Sequence, residues 1–227
     1  MDVEALADRI EEDIVFGAYA PGARLVEERM TRALDTSRHQ LRAAFAMLEA
    51  RGTIRRFPNR GVEVSEPSPD EIDELYEVRR ILETSAARLT PLPVAPATLE
   101  RLRHVQDGHE EAVRREDHRG VFHANIAFHA LQYSTCPNGA LTAAIADYAR
   151  RVHVIRAIKY DDAAHMATVI AQHRAILDAM AGSDAEAYAA RVAEHLPAST
   201  EAYRKAYERR HGTACDRRHG TAAARVA

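Results

Sequence analysis

Apolar positions along the first third of the chain repeat with a helical period and then switch to an extended one. Leu6, Ile10, Ile14 and Val15 fall on one stripe of a helix over about residues 4–16. Gly17 and Pro21-Gly22 break the chain, and Leu25–Leu34 reads as a short second helix. In Asp35-Thr36-Ser37, either Thr36 or Ser37 can cap a third helix over about 37–51. That helix buries Leu41, Phe45 and Leu48 and stops at Arg51-Gly52. Thr53–Phe57 and Gly61–Val64 then read as short strands, joined by Pro58-Asn59-Arg60-Gly61, whose Asn and Gly suit a hairpin turn. Three helices followed by a hairpin predict a winged helix-turn-helix over residues 1–65.

Ser65-Glu66-Pro67-Ser68-Pro69 marks a hinge, with 66–69 as the linker. Beyond it the pattern is helical almost to the end, predicting an all-helical bundle over 70–208 and a mainly α protein. Ser68 or Asp70 caps a helix to about Leu89, with Ile72, Leu75, Val78, Ile81 and Leu82 on its expected buried stripe. After the break at Pro91, Pro93 and Pro96, helices are expected over about 97–116, 119–134, 138–160, 163–181 and 184–210. Arg209-Arg210-His211-Gly212-Thr213-Ala214 recurs at 217–222, and this polar tail, 209–227, is expected to be disordered.

The 227 residues carry a formal net charge of −3, so overall charge does not point to nucleic acid and any DNA-binding patch must be local. Two cysteines, Cys136 and Cys215, make neither a disulfide framework nor a thiolate metal site, which fits a reducing, cytoplasmic setting. The acidic start and the lack of a long apolar run predict neither export nor a membrane partner.

The local patch is present. Six arginines (Arg38, Arg42, Arg51, Arg55, Arg56, Arg60) lie between residues 38 and 60, against one acid, Glu49. Arg38 and Arg42 are one turn apart near the start of the third helix, and Ser37, His39 and Gln40 add short donors and acceptors beside them. A recognition helix needs that arrangement, because its first residues reach base edges while phosphates are met alongside. Arginine suits guanine and glutamine suits adenine. Arg55, Arg56, Asn59 and Arg60 crowd the small hairpin, where charge is not needed for folding. The plainer alternative is a solvated charged face.

Gly17–Leu25, Thr36-Ser37-Arg38-His-Gln-Leu-Arg42, Leu48-Glu-Ala-Arg-Gly52 and Pro58-Asn-Arg-Gly61-Val together resemble the DNA-binding domain of the GntR superfamily. The resemblance implies that Ser37, Arg38 and Arg42 contact double-stranded operator DNA and that the wing tip near Arg60-Gly61 enters the minor groove. The sequence departs from the family pattern in two places. Gln40-Leu-Arg-Ala-Ala-Phe45 replaces the usual Pro-Val-Arg-Glu-Ala-Leu, and Glu28 stands where some members carry a DNA-contacting arginine.

The run from Asp70 to Glu83 is similar to the opening helix of FadR-type effector domains, with the likeness extending to about residue 205. That subgroup carries an Asp or Asn four residues before a His that itself follows a Phe, here Asn125-Ile-Ala-Phe128-His129, with Asn138 following at the usual distance. His173 in Gln-His-Arg-Ala-Ile-Leu and His195 in Glu-His-Leu match two further contexts. From the residues alone, Asn125 and His129 share one helical face and can grip one ion. Three imidazoles and one oxygen donor suit zinc, nickel, manganese or iron, with positions open for a ligand's carboxylate. The alternative is a set of core histidines, one of several chance pairings that 12 histidines permit. Arg79 is a candidate to fork onto an acidic effector or, equally, to pair with Glu83 four residues on. Tyr76, Tyr133 and Tyr148 are pocket wall or core, and Tyr76 and Asn138 join Arg79 as effector-binding candidates.

The function these features imply is a transcription regulator, a repressor that binds a palindromic operator as a homodimer and responds to a small carboxylic acid held on a metal ion. Two readings compete with it. One is an architectural DNA-binding protein whose helical domain only dimerises. The other is a metal-dependent enzyme, against which no acid or base is placed by motif near the histidines.

Overall fold

The structure is a computed structural model that describes residues 1–58, 61–156, 160–196 and 200–212. In the N-terminal unit, α1 (Val3–Val15), α2 (Glu27–Ala33) and α3 (Arg38–Ala50) pack on an antiparallel sheet of β1 (Arg24–Leu25), β2 (Ile54–Phe57) and β3 (Gly61–Val64), in the order β1-β3-β2. Leu6, Ile10, Met30, Leu41, Phe45, Leu48, Ile54 and Val64 form its core. Ser37 caps α3, accepting from the Gln40 amide at 3.2 Å, while the Gln40 side chain accepts back from the Ser37 amide. Gly52 at φ +78° turns the chain out of α3 into β2, a conformation that a side chain would strain.

The first strand corrects the expected helix over Leu25–Leu34. Arg24 and Leu25 pair with Glu63 and Val62 of β3, and helix begins only at Glu27. Buried Leu25 and the bond from the Val64 amide to the Ala23 carbonyl (2.9 Å) tie this segment into the sheet. Asn59 and Arg60, expected at the wing tip, lie outside the described residues.

The second unit is wholly helical: α4 (Pro69–Leu89), α5 (Pro96–Arg114), α6 (His118–Tyr133), α7 (Gly139–Arg151), α8 (His153–Arg156), α9 (Ala163–Ala181), α10 (Ala185–His195) and α11 (Thr200–His211). Ser68 caps α4 with a second capping box, completed by Glu71. α4 packs on α7, α10 and α11, while α5 lies between α6 and α9. Leu99, Leu102, Phe128, Ile176, Met180, Tyr188 and Val192 fill the centre. Three expectations are revised. The helix expected over 138–160 breaks at Val152, the one over 184–210 is two helices, and α11 runs past residue 208 to His211. There Arg210 and His211 both pair with Glu66, at 2.8 and 3.0 Å. Residues 213–227 of the expected tail lie outside the described residues. On α4, Ile72 is buried but Ile81 is 53% exposed, and the buried face holds Arg79 and Glu83 instead.

The two units meet at α1 with its C-cap Phe16, and at the wing, where Arg55 pairs with Glu71 of α4. Glu11 accepts from His153 of α8 at 3.0 Å and from Arg51 at 2.8 Å. Phe16 meets Phe122 of α6 edge-on, with ring centres 5.8 Å apart, and Glu12 pairs with Arg119 and His123 of the same helix.

Candidate functional site

On the N-terminal unit, the capping box that starts α3 sets the presentation of the expected DNA face. Ser37, Arg38, His39 and Arg42 are exposed around the first turns, and Gln40 is half-buried. The Gln40 carbonyl oxygen serves the cap, which holds the residue that sequence reasoning offered to adenine. Several of the basic residues already face acids. Arg42 meets Glu27 at 3.0 Å, Arg55 meets Glu71 of α4 at 2.9 Å, and Arg56 meets Glu49 at 2.8 Å. Arg51 is drawn inward to Asp8 and Glu11, so it does not belong to the exposed patch. Glu28 pairs with Arg32 along α2. Arg24 went unnoticed in the sequence, yet it lies against the wing at Gly61, whose φ is +86°. A Cβ there would stand 3.6 Å from the Arg24 Nε. Its sequence signal is its place just before Leu25 in the Gly17–Leu25 run.

On the helical unit, α6, α9 and α10 bring His129, His173 and His195 together. Their Nε2 atoms face one another, with His195 at 3.2 Å from both His129 and His173. Each Nδ1 meets a glutamine carbonyl oxygen: His173 on Gln106 at 2.7 Å, His129 on Gln132 at 3.0 Å, and His195 on Gln172 at 3.0 Å. The amide nitrogens of those glutamines donate elsewhere, to the Glu110 carboxylate, the Tyr188 hydroxyl and the Glu194 carbonyl. The oxygens of Gln106 and Gln172 are thereby committed to accepting from His173 and His195. With Gln132 donating to the Tyr188 hydroxyl, its oxygen accepts from His129 in the same way, which places the imidazole protons on Nδ1. Three Nε2 lone pairs are then turned toward one point.

Lone pairs at that separation repel, and a cation between them reverses the sign. A tetrahedral zinc site with bonds of about 2.0–2.1 Å has donor–donor edges of about 3.3–3.4 Å, close to the spacing here. The glutamines act as the outer partners that fix ligand tautomer and ring orientation. Phe128 clamps the fully buried His173 by stacking on it, with ring centres 4.2 Å apart. The residues present therefore fit a divalent ion, and Asn125, one turn before His129 on α6, lines the same cleft.

The cleft holds a cavity of about 60 Å³ and opens to solvent. Tyr76, Arg79, His109, Asn125, Tyr160, His165, Met166 and Val169 line it beside His129 and His195. Arg79 stands at its edge, with Nε on Glu83 at 2.8 Å and its guanidinium 4.9 Å from the Tyr76 ring centre. Burial alone would lower the pKa of Arg79, but the Glu83 carboxylate outweighs it and holds the guanidinium charged. Glu83 also accepts from Tyr133, whose phenol burial keeps protonated. Asn138 is not part of the cleft. It is exposed and caps α7, its side chain accepting from the Leu141 amide at 3.1 Å.

Sequence reasoning missed His109 and the three glutamines. Gln132 and Gln172 stand three residues after and one residue before a triad histidine, a spacing that could have flagged them. His109 is fully buried, and burial pushes its pKa down to about 4, so the ring is neutral.

Comparison with known proteins bears on both units. The profile of bacterial regulatory proteins of the gntR family matches residues 3–64, and that of the FCD domain matches residues 74–198. An uncharacterized HTH-type transcriptional regulator in the TAR-I ttuE-ttuC' intergenic region of Agrobacterium vitis is 32% identical over 130 residues, 56% of this chain and 76% of that protein. The HTH-type transcriptional repressor RspR of Escherichia coli is 25% identical over 180 residues, 78% of each chain. Among solved structures, a transcriptional regulator GntR from Rhodococcus sp. RHA1 superposes with a TM-score of 0.74 at 26% identity, covering 90% of this chain and 98% of that one. The E. coli McbR/YncC structure shares the fold, with a TM-score of 0.77 at 21% identity over 90% and 98% of the two chains.

Proposed function

The chain belongs to the gntR family of bacterial regulatory proteins and carries an FCD domain, and on that premise we propose that it is a repressor whose grip on a palindromic operator is reset by a small carboxylic acid. It is a DNA-binding transcription regulator and not an enzyme, as its family and relatives are. The proposal adds the homodimer, the metal and the effector. The observation that carries it is the convergence of three imidazole lone pairs, each fixed by its own glutamine, inside a cleft edged by a buried arginine.

His129, His173 and His195, with Asn125, hold a divalent ion: zinc, nickel, manganese or iron. The ion supplies a Lewis-acidic seat for a carboxylate. Arg79 and Tyr76 wall that seat. Two helices connect the cleft to the DNA-binding unit. α6 carries His129 near one end, and near the other His123 and Arg119 pair with Glu12 of α1 while Phe122 meets its C-cap Phe16. α4 carries Arg79, and its first turn holds Arg55 of the wing through Glu71. An effector that favours one placement of α4 and α6 therefore biases the position of the wing and the release of Arg55. A homodimer suits the exposed Ile81 and Leu89 of α4 and matches the two-fold symmetry of a palindrome.

The test uses the full chain, zinc-loaded or chelator-stripped, mixed with fragmented genomic DNA and then challenged with acetate, propionate or succinate. One enriched palindrome is expected. At least one acid should displace the zinc-loaded protein and leave the stripped protein bound. Equal behaviour of the two forms would remove the metal from the mechanism.

Arg38→Ala is expected to weaken operator binding by about 1–3 kcal/mol, or roughly 5- to 150-fold, because Arg38 is exposed at the start of α3 and its charge faces no acid among the described residues. Fluorescence anisotropy at fixed salt measures this. Wild-type affinity would remove α3 as the reading helix.

A further inference from the structure

His109 stands on α5, wholly buried, and lines the cleft beside the histidine triad. Its ring centre is 5.3 Å from that of His173, yet its nitrogens do not join the cluster of ligand atoms that the triad forms. Neither its Nδ1 nor its Nε2 has a hydrogen-bond partner among the described residues. Folded proteins rarely leave a buried polar group in that condition, and one that faces a cleft is poised for a partner that arrives with a ligand.

The chemistry of that partner follows from the ring. A neutral imidazole offers one N–H and one lone pair, so it pairs with a group that both donates and accepts. The triad imidazoles differ, because their Nδ1 atoms are committed to Gln106, Gln132 and Gln172. Arg79 offers only donors, one of them held by Glu83. We infer that His109 reads a hydroxyl group on the effector, so that the ligand class is a small hydroxy acid, its carboxylate at the triad and its hydroxyl a carbon or two away. The inference rests on the proposed seating of a carboxylate at the triad and names what must lie beside it. A simple fatty acid leaves His109 buried and unpaired in the complex, so the cleft discriminates against it. His109 is thereby a specificity-determining residue rather than a metal ligand.

Calorimetric titration of the zinc-loaded full chain with propionate, 2-hydroxypropionate and 3-hydroxypropionate tests this, in the wild type, His109→Leu and His109→Gln. Zinc chelation by a hydroxyl is common to all three proteins, so the readout is the change in the ratio of affinities for hydroxylated over plain acid. For the better hydroxy acid, that ratio is expected to fall at least about fivefold in His109→Leu. His109→Gln, which keeps a donor and an acceptor, should retain part of it. His109→Leu should fold, because it removes a buried polar group, and His109→Met serves as a second apolar replacement for the same ratio. An unchanged ratio in the apolar variants overturns the role of His109 and leaves the carboxylate seat standing. If zinc binds but no acid binds the wild type, the carboxylate reading fails and takes this inference with it.

Discussion

Replacing His173 by alanine is expected to weaken zinc binding by more than about 100-fold, the largest effect of any single change in the cleft. Loss of an outer-shell partner alone costs about 10- to 100-fold in metal affinity, and His173 is one of three direct donors. It is also the most rigidly held, fully buried, stacked on Phe128 and fixed through Nδ1 to Gln106 at 2.7 Å. Its replacement removes a lone pair from the cluster and leaves the Gln106 oxygen without its imidazole partner. Competition against a chelator of known affinity measures the change, with circular dichroism to confirm that the variant is folded. Gln106→Ala provides the graded comparison: the triad remains, the ring loses its orientation, and a loss of about 10- to 100-fold is expected. Zinc affinity unchanged in His173→Ala would mean that the three histidines are a packing cluster and that the ion sits elsewhere or not at all.

The two halves of the protein were unequally legible in its sequence. The winged unit announces itself because its core obeys period. Leu6, Ile10 and Ile14 line α1, and Leu41, Phe45 and Leu48 line α3, all buried as the spacing requires. β1 did not announce itself, because a two-residue edge strand carries no period of its own and exists only by pairing with β3 across most of the unit. On α4 the period misled. Arg79 and Glu83 occupy the buried face while Ile81 faces out, since two opposite charges one turn apart can be buried together where either alone would be excluded. Helical spacing related Asn125 to His129, and only the resemblance joined His173 and His195 to them. His129, His173 and His195 lie on three helices, far apart in the chain, and nothing in local pattern relates them. The glutamines that orient them, and His109 beside them, are visible only once the helices are packed. Asn138 shows the converse: a residue suggested by its distance from His129 is engaged in starting a helix.

Arg79→Met is expected to lower the free energy of unfolding by about 3–5 kcal/mol, because it strands a buried carboxylate. The Arg79 and Glu83 side chains are 6% and 2% exposed, and Nε and Oε1 are 2.8 Å apart. The second Glu83 oxygen accepts from Tyr133, so the charge stays in place with one neutral donor and no cation. For a chain of this size the loss corresponds to a fall in melting midpoint of roughly 6–20 °C. Arg79→Met combined with Glu83→Met should recover most of it, since a buried pair replaced by apolar side chains of similar volume is often neutral or better. That double variant also decides what the arginine is for. If Arg79 only neutralises Glu83, the repaired protein responds to an acid as the wild type does. If it also anchors the effector's carboxylate, the repaired protein folds and binds zinc and operator but no longer releases DNA when the acid is added. A single variant within about 1 kcal/mol of wild type would show instead that the pair is solvated in solution and that neither role depends on its burial.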